Sequence, residues 1–164
     1  MTKEEFIEKT SGNIYWISRW DYVKEVLSLI KPNQNVLEIG AYDLRFVDDS
    51  TVMDFKPYLE NTVIHNATTS PYPFKNKEFD LVIATQVWEH LYENEEAMIN
   101  PKQKEAFAEV IRISKSAILS FPYMWETDDC HNGIDEAKIK EWTLGIEPKE
   151  IIKIGSRHIY YFEF

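Results

Sequence analysis

Cysteine occurs once in the 164 residues, at Cys130, so no disulfide can close within the chain. A lone cysteine fits a reducing compartment and excludes the stapled scaffolds of small secreted proteins. No apolar run approaches the roughly 20 residues of a membrane span. The opening MTKEEFIEKT lacks the apolar stretch of a secretory signal. A soluble cytoplasmic protein is therefore the expectation. Cations are scarce: 18 Lys and Arg face 28 Asp and Glu, a formal charge of −10. No run of Lys and Arg forms the basic face that phosphate contacts require, which argues against nucleic acid and against an anionic membrane as partners. Internal repeats and low-complexity segments are absent as well. What is present is 44% hydrophobic, enough for one core. The length suggests one domain over 1–164, with residues 1–14 as an N-terminal arm.

Along the chain, residues 1–13 are polar and end in a loop-like Ser11-Gly12-Asn13. From Tyr15 to Ile30 apolar residues recur at helical steps (Trp16, Trp20, Val23, Leu27, Ile30), and Pro32-Asn33 ends that helix. Strands are expected at 35–40, 50–54, 62–65, 79–84 (FDLVIA) and 116–121 (SAILSF). Asn100-Pro101-Lys102-Gln103 reads as a helix start, with Asn as cap and Pro at the first position. Asp135 caps a short helix to about Trp142. Glu150–Ile154 and Arg157–Phe164 form a closing hairpin around Gly155-Ser156. Strands alternating with helices predict an α/β sheet, mostly parallel, with one antiparallel member.

The connections after the first two strands are short. A parallel crossover needs a dozen or more residues, usually with a helix. Either the connection over 41–50 lacks a helix or its strands are not parallel. Ligands of open α/β sheets bind at the carboxyl ends of the strands. The residues at those ends are Glu38 and Gly40, Asp54, Asn66, then Thr85, Gln86, Glu89 and His90, and finally Pro122 and Tyr123.

These residues carry a resemblance. V-L-E-I-G at 36–40, Asp54, and PFKNKEFDLVIATQVWEHL at 73–91 resemble a class I S-adenosylmethionine-dependent methyltransferase of the small-molecule branch. The 73–91 stretch is its specific part. The resemblance implies a Rossmann-like sheet with helices on both faces and a C-terminal antiparallel hairpin, with crossovers shortened after strands 1 and 2. It implies S-adenosyl-L-methionine as cofactor and a small-molecule or sugar-like acceptor, since compact proteins of this kind are often encoded with glycan genes. Gly40 would let the loop backbone approach the methionine moiety. Glu38 would orient that loop or accept from the ammonium. Asp54 would accept from the ribose hydroxyls, and the Asn66 carbonyl from the adenine amino group. Thr85 and Gln86 would lie against the methionine end and the acceptor.

Each role has a plainer rival: Gly40 as a strand terminator, Asp54 as a solvated turn residue, Asn66 closing its own turn, Glu89-His90 as a structural pair. Tyr42 and Leu44 stand where this family has glycine, and they disfavour positive φ. A Tyr42 that filled the cofactor site would leave a non-catalytic domain that binds a partner, the alternative reading. A nicotinamide-dependent oxidoreductase is weaker still, because G-x-G-x-x-G is missing. For a general base the candidates are His131, in the loop after the fifth strand, and His90; His65 and His158 read as structural. Tyr123 and Trp125 would shape the acceptor pocket. Asp128-Asp129-Cys130-His131 matches no zinc spacing, so no metal is expected. The trimmed crossovers would uncover one sheet face, for the N-terminal helix or for a second copy in a homodimer to cover.

Overall fold

The computed structural model of the chain describes residues 1–94, 99–124 and 133–164. Its sheet has seven strands: β1 (Val36–Ile39), β2 (Thr51–Asp54), β3 (Val63–Ile64), β4 (Leu81–Thr85), β7 (Ser116–Pro122), β8 (Glu150–Ile154) and β9 (Arg157–Glu163). A separate small hairpin joins β5 (Tyr92–Asn94) to β6 (Ile99–Pro101). The sheet order is β3-β2-β1-β4-β7-β9-β8. All neighbours pair in parallel except β9, which runs antiparallel to both β7 and β8. Both short crossovers join parallel strands and contain no helix.

The period of two sorts each strand between two cores. Leu37, Ile39, Val82, Ala84, Ala117, Leu119, Tyr160 and Phe162 face α4 (Gln103–Ile113) and α5 (Glu136–Trp142), where Phe107, Val110, Ile139 and Trp142 meet them. Val36, Leu81, Ile83, Ile118, Ile159 and Tyr161 face the other way, against α1 (Lys3–Lys9) and α3 (Trp20–Ser28) with Phe6, Val23 and Val26. Coverage on both faces explains why β1 and β7 are buried throughout rather than at alternate residues. Phe107 and Phe162 meet edge to face at 5.2 Å, the geometry ring quadrupoles prefer. Among the described residues no helix is long and apolar enough to cross a membrane.

Four local expectations are corrected. The polar N-terminal arm holds a helix, α1. Thr2 and Glu5 close a capping box over it, and Phe6 is its buried anchor. The single helix over Tyr15–Ile30 is two, α2 (Ile14–Ile17) and α3. The break follows from competition for one carbonyl: Ser18 Oγ and Arg19 Nη1 donate to Tyr15 O at 2.9 and 2.6 Å. The Arg19 N–H bonds Trp16 O instead. Asn100-Pro101 does not start a helix. Asn100 adopts φ +54, outside the extended region a cap needs, and its amide donates to Glu93 across the β5–β6 hairpin. His65 is not in the core; it follows β3, half-buried, with Nε2 2.8 Å from Thr69 O.

A clamp replaces the missing helix after β1. The buried Glu38 carboxylate accepts from the Phe46 N–H (2.8 Å), the Val47 N–H (2.9 Å) and the Ser50 hydroxyl (2.6 Å). This fixes residues 46–50 against the sheet and drives Leu44 and Phe46 into the core under α1 and α3. Burial outweighs these donors and holds the Glu38 carboxyl above its ordinary value.

Candidate functional site

The carboxyl ends of β1, β2 and β4 open onto a cleft of about 490 Å³, within the range of small-molecule sites. Gly40, Asp54, Asn66, Gln86 and His90 line it. A smaller cleft of about 150 Å³ lies beside it, lined by Tyr15, Arg19, Tyr22, Thr85 and Arg157, with Glu38 at its wall. Ile39, Gly40, Tyr42 and Gln86 line both, so the two clefts meet at the tips of β1 and β4.

Gly40 has φ +68, and its N–H donates to Met53 O at 2.9 Å. A Cβ there would come within 2.6 Å of Val87 Cγ2. This position therefore needs glycine twice, for its backbone angle and for the close approach of Val87. Tyr42 takes φ +52 despite its side chain. Its ring does not fill the cleft: it is 53% exposed and rests edge-on against Tyr58 at the mouth, centroids 4.7 Å apart. Leu44 is buried in the core under α1 and α3 and lines the smaller cleft, not the larger one.

Asp54 is buried at the end of β2 and accepts long bonds from the Tyr42 N–H (3.3 Å) and the Lys56 N–H (3.4 Å). These tie the loop after β1 to the tip of β2. Asn66 Oδ1 accepts from the Thr68 N–H at 3.0 Å, an Asx turn that leaves its amide at the cleft. Phe55 and Tyr58 form an aromatic rim on the same side.

Gln86 has φ +56 and is held by Ser120. Its N–H and its Nε2 lie 3.1 and 3.2 Å from Ser120 Oγ. That hydroxyl also meets the Tyr22 hydroxyl at 2.6 Å. The chain Tyr22–Ser120–Gln86 therefore links the floor of the small cleft to the junction. Burial pushes the Tyr22 phenol well above its ordinary value, so it stays protonated.

Thr85 lines the small cleft and His90 the large one. Tyr123 lines neither: its ring stacks on His158 at 4.0 Å, and its N–H donates to Ser156 O. Burial lowers the His158 imidazole below its ordinary value, in keeping with a packed, neutral ring. His131 and Trp125 lie outside the described residues.

Sequence reasoning missed Tyr15, Arg19, Tyr22, Val87 and Arg157. Arg157 could have been placed from the hairpin register. The strand antiparallel to β7 must begin at the edge where β7 ends, and Arg157 pairs with Pro122 there.

No family model matches the chain, and no curated protein matches it by sequence. Solved structures do match. A SAM-dependent methyltransferase from Aquifex aeolicus superposes with a TM-score of 0.64 at 15% identity, covering 98% of this chain and 97% of that one. A protein from Pyrococcus horikoshii OT3 gives 0.69 at 14%, covering 93% and 92%. A SAM-dependent methyltransferase from Thermotoga maritima gives 0.60 at 12%, covering 90% and 94%. With five parallel strands, an antiparallel closing hairpin and helices on both faces, the chain has the fold of the class I SAM-dependent methyltransferases.

Proposed function

We propose that the chain transfers a methyl group from S-adenosyl-L-methionine to a small-molecule or sugar-like acceptor. The observation that carries this is the junction at Gly40 and Gln86, where a cleft of cofactor size meets a second, smaller one. The larger cleft suits the cofactor chemically. Asp54 offers carboxylate lone pairs for the ribose hydroxyls, and the Asn66 amide and the Phe55–Tyr58 rim suit the adenine. The bare face of Gly40 suits the methionine moiety. When bound, the cofactor supplies an electrophilic methyl on a sulfonium.

The work of the protein is then to hold an acceptor atom about 3–3.5 Å away, in line and without water. Gln86 is suited to position it, because Ser120 fixes both its backbone and its amide. His90, half-buried on the cofactor side, is the described candidate to accept a proton.

Calorimetry with S-adenosylmethionine and S-adenosylhomocysteine tests the proposal. Dissociation constants in roughly the micromolar range, weakened about tenfold or more by Asp54→Ala, support it. No heat at millimolar ligand would leave a non-catalytic domain of the same fold.

A further inference from the structure

The direction of the hydrogen bonds at the floor of the small cleft follows from the valence of Ser120. This residue is buried, and its hydroxyl has three polar neighbours. The Gln86 N–H and Nε2 reach Oγ at 3.1 and 3.2 Å, and Tyr22 Oη lies at 2.6 Å. A serine hydroxyl offers two lone pairs and one proton. Both Gln86 groups can only donate, so they occupy the lone pairs. The Ser120 proton must then go to Tyr22 Oη, its one acceptor among the described residues.

Tyr22 therefore accepts at this end and keeps its own proton to donate. Burial holds the phenol well above its ordinary value, so that proton is present. Two charged groups act on the phenol in opposite senses: Glu89 raises it and Arg157 lowers it. The Thr85 hydroxyl is the other hydrogen-bonding group beside it. Tyr22 and Thr85 both line the small cleft. Whether the proton leaves from Tyr22 itself or is passed through Thr85, the chain Gln86–Ser120–Tyr22 ends in that cleft as a donor.

The same valence orients the Gln86 amide. With Nε2 turned to Ser120, Oε1 is left as an acceptor, and it takes no hydrogen bond among the described residues. Gln86 lines both clefts, which presents this oxygen at their junction. Its backbone at φ +56 is strained for a residue with a side chain. Such strain persists where the surroundings over-determine it, and here Ser120 holds both the N–H and the amide.

We propose that the small cleft reads a hydroxyl with a second oxygen beside it. The hydroxyl of the methyl acceptor donates to Gln86 Oε1, and the neighbouring oxygen accepts the proton that Tyr22 delivers. The proposal rests on the methyltransferase reading and narrows its acceptor to polyols and sugars, which carry this pair. An aliphatic amine would enter as a cation and share the cleft with the Arg19 guanidinium, which disfavours it. At about 150 Å³ the cleft admits a fragment the size of one small ring.

The test uses the whole chain saturated with S-adenosylhomocysteine and three neutral probes of similar shape. Tetrahydrofurfuryl alcohol carries both the hydroxyl and the ring oxygen. Cyclopentylmethanol lacks the ring oxygen, and tetrahydrofurfuryl methyl ether lacks the donor. Binding is followed by NMR at the Gln86 side-chain amide and the Tyr22 ring. The alcohol with the ring oxygen should saturate in roughly the ten-millimolar range, and each of the others should bind about fivefold or more weakly. In Tyr22→Phe the preference for the ring oxygen should fall to about onefold while the preference for the free hydroxyl remains. A loss of all three together in that variant would mark Tyr22 as structural only, and would overturn its role as donor. No saturable binding of tetrahydrofurfuryl alcohol, or equal binding of all three probes by the wild type, overturns the proposal without recourse to any variant. If the methyl ether alone matches the alcohol, Gln86 presents its N–H rather than its oxygen, and the proposal fails. If the probes displace S-adenosylhomocysteine, the small cleft belongs to the cofactor and the proposal fails. A wild type that does not bind S-adenosylhomocysteine at all shows, before any probe is added, that the methyltransferase reading has failed, and the assignment of this cleft to a methyl acceptor goes with it.

Discussion

Replacing Gly40 by alanine adds a single methyl group, and the structure says what it would meet. The new Cβ would lie 2.6 Å from Val87 Cγ2 and 3.4 Å from Cγ1, on a backbone at φ +68. A left-handed conformation costs an L-residue about 1–2 kcal/mol. Overpacking against a neighbour costs about 1–3 kcal/mol more. Gly40→Ala should therefore lose about 2–5 kcal/mol, a fall of roughly 4–20 °C in Tm for a chain of this size.

The two contributions can be separated. Val87→Ala removes both offending methyls and leaves Val87 Cβ at 3.6 Å, an ordinary contact. In the double variant the clash vanishes and the backbone strain remains. Urea denaturation of wild type, both single variants and the double variant closes a cycle, with a favourable coupling of about 1–3 kcal/mol expected. A coupling below about 0.5 kcal/mol would mean that the loop yields freely, and the account of Gly40 as a close-contact position would be wrong.

Glu38→Gln should change how stability depends on pH. Because burial raises the Glu38 carboxyl, its protonated form is the better one in the fold. Its contribution is fully present below the ordinary value of 4.5 and is lost as pH rises through the raised folded value. The stability of wild type minus that of Glu38→Gln should thus fall with pH above about 4.5, measured by urea titration at each pH; a flat difference refutes it. Asp135→Ala removes the cap on α5, a side chain that accepts from the Lys138 N–H at 2.8 Å, and should cost about 1 kcal/mol of unfolding free energy. Arg112→Ala should loosen the 72–76 segment, whose Tyr72 and Phe74 carbonyls and Asn76 amide oxygen it binds, seen as faster proteolysis there. A homodimer, expected from the trimmed crossovers, would use the exposed Phe55, Tyr58 and Ile64; light scattering giving the mass of one chain at working concentration refutes it.

The parallel centre of the sheet was legible because burial on both faces leaves short, mostly apolar runs between breakers, as in VLEI and LVIAT. Asp135 and the closing hairpin were legible for local reasons: a cap and a turn act within a few residues. The shortened crossovers followed from counting, and the structure resolves the choice in favour of parallel strands without a helix. What stayed hidden depends on competition or on distance. The split between α2 and α3 turns on which donor takes the Tyr15 carbonyl. Asn100-Pro101 carries a helix-start pattern that pairing with Tyr92–Asn94 overrides. The helix α1 was missed because its T-x-x-E capping box lies in a polar stretch that reads as an arm. Of the large cleft, Gly40, Asp54, Asn66, Gln86 and His90 could be listed from strand ends alone. The small cleft could not, because Arg19 and Arg157 are far apart in sequence and neither belongs to a motif.

The helix-free crossovers also set where the molecule should open first. β3 has two residues and sits at the sheet edge, joined to β2 by turns without a helix, and its Ile64 is exposed. Such a unit opens at a lower free energy than the centre of the sheet, and its amides should exchange with solvent soonest. Asp54 and Asn66 lie at the tips of this unit, while Gly40 and Gln86 belong to the rigid middle. A ligand spanning both would bind only the closed form. Amide protection at Val63, Ile64 and Met53 should therefore start below that at Val82 and Ile118 and rise with free cofactor as the logarithm of one plus its ratio to the dissociation constant.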